Sequence, residues 1–60
     1  MLTKAEKPFE RAARALIDRF GENAAGQAET NADVARQKGF YDEGRLWQLI
    51  KEIVLELTAH

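Results

Sequence analysis

Sixty residues make at most one domain, and a chain this short buries only about 60% of the surface its unfolded form exposes. Without cysteine, neither a disulfide nor a thiolate–zinc site can staple it, while 45% hydrophobic and 32% charged residues exclude a disordered chain. Nine basic and ten acidic residues, interspersed, leave a net charge of −1 and no broad field for phosphates, so nucleic-acid binding is not expected.

Met1-Leu2-Thr3-Lys4 is not followed by an apolar core, so no signal peptide is expected. No run approaches 18 apolar residues, so no membrane span or membrane partner is expected, and the default location is cytoplasmic. Thr3-Lys4-Ala5-Glu6 fits a capping box, but Pro8 favours a start at the first helical position. Phe9, Ala12, Ala13, Leu16, Ile17 and Phe20 recur at helical spacing and predict helix 1 over residues 8–20, closed by Gly21. Glu10 and Arg14 can pair on its wet side, and the basic stripe Lys7, Arg11, Arg14 reads as a solvated face.

Asn23 is a candidate N-cap for helix 2, over 24–38. Its inner face reads as Ala25, Ala28, Ala32 and Ala35, a seam that buries little per residue but lets backbones come close. Gly26 is expected to serve the same close approach, and Val34 reads as a lone exposed valine. Gly39 ends the helix. Asp42 reads as the N-cap of helix 3, over 43–58, with Tyr41 and Leu46 as a hydrophobic staple. Phe40 and Tyr41 are expected to plug the end of the bundle, with an exposed binding pair as the second reading.

Helix 3 is the densest apolar stretch. Leu46, Ile50, Ile53 and Leu57 form one face, Trp47 and Val54 flank it on one side and Leu49 on the other. At about 100° per residue this arc approaches half the circumference, more than two thin neighbours readily cover. The candidate interface is therefore Trp47, Val54 and Leu49, with Phe40 and Tyr41 beside them. The main bulk is expected from Phe9, Leu16, Ile17 and Phe20 against Leu46, Ile50, Ile53 and Leu57, with helix 2 laid across them.

Chemistry is scarce. Without cysteine or serine, and with His60 the single histidine, no Cys–His or Ser–His nucleophile–base pair can be assembled, and no catalytic, cofactor or metal residue is assigned. Glu52, Glu56 and His60 share a helical stripe but read as a solvated edge rather than a metal site. Helix–turn–helix DNA binding is the competing class, but helix 3 offers only Arg45 and Lys51 against Glu43, Glu52 and Glu56.

Phe20-Gly21, Ala24, Ala28, Ala32, Lys38-Gly39, Asp42, Gly44, Trp47, Ile50, Ile53 and Leu57 form a pattern that resembles a group of short bacterial proteins of unknown function. The pattern is an aromatic–Gly, an alanine-spaced helix, a Gly–Asp-type turn and a Trp-anchored last helix, and it covers residues 13–57. Here Phe40-Tyr41 lie between Gly39 and Asp42, where the group's turn is tighter. The resemblance implies a helical fold and no established activity. The expectation is thus a single all-α domain over residues 1–60, a small three-helix bundle completed by homo-oligomerisation. It would act as a non-catalytic interaction or self-association module, as a homodimer or on a partner helix, with no small-molecule substrate. The alternative is a small nucleic-acid-binding regulator.

Overall fold

The computed structural model describes residues 8–59, which are helical except for residues 38–40 and 59, with no strand among them. Two continuous helical stretches make up the fold rather than three separate helices. The first, residues 8–37, is divided by a single 3-10 turn at Gly21–Asn23 into α1 (Pro8–Phe20) and α2 (Ala24–Gln37). The second is α3 (Tyr41–Thr58). The expected connector after Phe20 is therefore itself helical. Gly21 adopts φ +56, the left-handed conformation glycine tolerates, and the Ala24 N–H then donates to the Gly21 carbonyl. Asn23 sits at the N-cap position but makes no side-chain cap bond, because the tight turn already engages the backbone there.

The second break is sharper. The Gly39 N–H donates to the Arg36 carbonyl at 3.0 Å and the Phe40 N–H to the Ala35 carbonyl at 2.8 Å, with Gly39 at φ +87. This is a Schellman motif, which uses up the last carbonyls of α2 and turns the chain back on itself. It leaves Phe40, not Asp42, at the N-cap of α3. The Gly44 N–H donates to the Phe40 carbonyl, and Phe40 has no side chain able to cap. Asp42 and Glu43 instead lie in the first turn, where their charge suits the positive helix end. With Tyr41 already helical, the Tyr41–Leu46 staple has no place.

α2 and α3 form an antiparallel hairpin with the most extensive contact in the molecule; α1 touches α3 less and α2 least. The alanine seam runs through Ala24, Ala28, Ala32 and Ala35, all buried, while Ala25 is only half-buried. The inner face thus starts one residue earlier than the sequence suggests. The residue of close approach is Gly44, not Gly26: a methyl group on Gly44 would meet Arg36 Cγ at 2.9 Å and the Ala32 carbonyl oxygen at 3.3 Å, whereas Gly26 faces open space.

Ala13, Ala24, Ala28, Ile50 and Val54 form the core, with Phe9, Leu16, Ile17, Trp47, Ile53 and Leu57 packed partly against it. Among the described residues, Val54 is the only large side chain that is fully enclosed. Two residues expected in the main bulk, Phe20 and Leu46, are exposed instead. Leu46 lies about one turn before Leu49, the level at which Phe9 of α1 shares a groove with α3. Among the described residues, no helix is long and apolar enough to cross a membrane.

Candidate interaction surface

α1 lies along the C-terminal part of α3. Phe9 shares a groove with Leu49 and Ile53, and Ile17 shares another with Leu57 and Thr58. The closed end of the α2–α3 hairpin is left open. There a groove of about 340 Å³ is lined by Asn31, Val34, Ala35 and Lys38 from α2, by Phe40 from the turn, and by Glu43 and Trp47 from α3.

Local backbone geometry builds this groove. The Schellman turn folds Phe40 back beside Ala35, the contact such a turn commonly makes between the residue after glycine and the last helical turn. Val34 and Lys38 are four apart and share one edge of α2; Glu43 and Trp47 are four apart and share the facing edge of α3. Val34 is 42% exposed and Phe40 55%. Trp47 is half-buried, one side against the core and the other in the groove. Lys38 and Glu43 stand on opposite walls, and neither makes an ion pair among the described residues.

The five residues singled out from sequence do not form one surface. Trp47 and Phe40 meet in this groove. Leu49, exposed, lies some 200° round the helix from Trp47 and lines the α1–α3 groove with Phe9, Glu52, Ile53 and Glu56. Tyr41 is 70% exposed and lines neither groove, so it does not plug the bundle end, and nor does Phe40. Val54 is a correction. It shares the Trp47 edge of α3 but lies two turns further on, where Ala13, Ala24 and Ala28 enclose it to 1% exposure. It is core, and no partner can reach it in the folded chain. The sequence reading missed Val34, taken as a solitary surface valine. The signal was Gly39: a C-terminal glycine turn brings the next residue back over the helix that carries Val34.

Several of the remaining polar groups pair at the surface. Arg14 donates to Glu10 at 2.9 Å, as the i, i+4 spacing predicts, and Lys51 joins Glu29 across the α2–α3 interface at 3.1 Å. Arg36 pairs with Asp33, and Gln27 donates to Asn31 at 3.1 Å. Arg11 also has an interaction partner. Glu52 and Glu56 are exposed, and His60, like Lys7 and the Thr3–Glu6 capping pattern, lies outside the described residues. No group of three or more potential metal ligands occurs among the described residues. No protein-family model, curated protein or solved structure matches the chain.

Proposed function

We propose that the protein is a non-catalytic helical interaction module, binding through the groove at the closed end of the α2–α3 hairpin. One observation carries this reading. Phe40 occupies the N-cap of α3, a position where Ser, Asp or Asn would satisfy free N–H groups, yet it makes no cap bond and is more than half exposed. Beyond its turn contact with Ala35 it stands exposed beside Val34 and Trp47 in one groove. A local choice that works against helix stability while widening an apolar groove is the mark of a binding residue. Open grooves between antiparallel helices suit a further amphipathic helix, which inserts its apolar edge between them.

Helix–turn–helix DNA binding is the weaker reading, because α3 exposes Asp42, Glu43, Glu52 and Glu56 against Arg45. Salt-sensitive retention on duplex DNA would favour it.

The test uses variants that change the groove and spare the core. Self-association is measured by sedimentation, and binding of displayed amphipathic helical peptides by selection. The expected result is association in at least one of these formats that Phe40→Ser and Val34→Asp each abolish, with helix content by circular dichroism unchanged. No association in either format, or association indifferent to both substitutions, would overturn the reading.

A further inference from the structure

We infer that the occupant of this groove is a second copy of the same chain, related by a two-fold axis running along the hairpin between α2 and α3. The inference rests on the interaction reading above and adds the partner and its orientation.

The charges on the groove walls carry it. Lys38, at the C-cap of α2, and Glu43, in the first turn of α3, stand on opposite walls close to the same turn. A two-fold axis along the groove exchanges its walls. Each copy then sets its α2 edge against the other's α3 edge, and Lys38 of each meets Glu43 of the other. An axis across the groove would set Lys38 against Lys38 and Glu43 against Glu43. The charge pattern therefore selects one of the two axes, as a self-complementary interface requires. A partner of one charge sign would fit only one wall. A net charge of −1 leaves little repulsion between copies. In this arrangement Val34, Phe40 and Trp47 of the two copies close over each other, and α2 packs antiparallel to the other copy's α3.

The experiment is charge reversal read by sedimentation equilibrium, with helix content as the folding control. Wild type is expected to dimerise. K38E alone and E43K alone each place like charges across both symmetric contacts and should weaken dimerisation about tenfold or more. An equimolar mixture of K38E and E43K pairs opposite charges at both contacts and should regain the dimer, and so should the doubly reversed chain. Unweakened single variants, or single variants not rescued by mixing, would overturn the inferred axis. A wild type that stays monomeric at millimolar concentration while binding a helical peptide through Phe40 would overturn the second copy and leave the interaction reading standing. A wild type that does neither would fail both. Should reversal unfold the chain, the wild-type dimer itself gives the answer: its dissociation constant is expected to rise with salt, and a salt-independent dimer would overturn the charge pairing.

Discussion

Two glycines, one valine and one phenylalanine separate residues that build this fold from residues that serve something else. Gly26 is exposed in the first turn of α2 with open space around it, so Gly26→Ala should stabilise the protein by up to about 1 kcal/mol, the helix-propensity difference. Gly44→Ala makes the same propensity gain but forces a methyl group against Arg36 and the Ala32 carbonyl, so it should show no such gain. Gly44→Leu should cost about 1–3 kcal/mol by prising α2 from α3. Denaturant melts of the three variants check the order. Val54→Ala should cost about 2 kcal/mol or more, because it truncates a large side chain that is fully enclosed. In a chain whose core supplies roughly 3–5 kcal/mol, a loss of about 2 kcal/mol removes about half the stability and should lower the denaturant midpoint by a similar share. At dilutions where the wild type is monomeric, Phe40→Ser should stay within about 1 kcal/mol of it, since what it loses against Ala35 is set against a better cap.

Among the elements, the Gly39 turn organises more than its length suggests. It ends α2, starts α3 without a capping side chain, and puts Phe40 into the groove. Gly39→Ala forces a side chain into φ +87 and should cost about 1–2 kcal/mol, read as a fall in melting temperature of roughly 5–15 °C. The Glu29–Lys51 bridge between α2 and α3 is an exposed pair, and Lys51→Met should change stability by less than about 1 kcal/mol. The helices were legible because their signals are local: periodic apolar residues over 8–20, a glycine after each of the first two helices, and the Glu10–Arg14 spacing. The start of α3 was not, because Asp42 looks like a better cap than Phe40 until the Schellman bonds fix the turn. Nor was the alanine seam's start, since Ala24 and Ala25 are equal as residues and differ only in which one faces α3. Gly26 and Gly44 are likewise indistinguishable by propensity; only the neighbouring helix tells them apart.

At the scale of the whole molecule, the described residues extend over 38 × 26 × 17 Å around a core whose buried members are five alanines, Ile50 and Val54. The wide apolar arc of α3 reads correctly from sequence as more than its neighbours can cover, but not where the excess lies. Burial along the arc depends on height as well as angle. Val54 and Trp47 share an edge, and α1 is long enough to help enclose one of them. The exposed members of the arc are Leu46 and Leu49, the latter in the α1–α3 groove, while at the hairpin end Val34, Phe40 and Trp47 stand between Lys38 and Glu43. If a second copy closes over it, folding and association are linked, and stability depends on concentration. The most direct measurement is thermal unfolding of the wild type across a hundredfold dilution series, with Phe40→Ser alongside. The melting temperature of the wild type should fall steadily on dilution while that of Phe40→Ser stays flat; a wild-type melting temperature independent of concentration, with a monomer mass throughout, would contradict completion of the fold by a second copy.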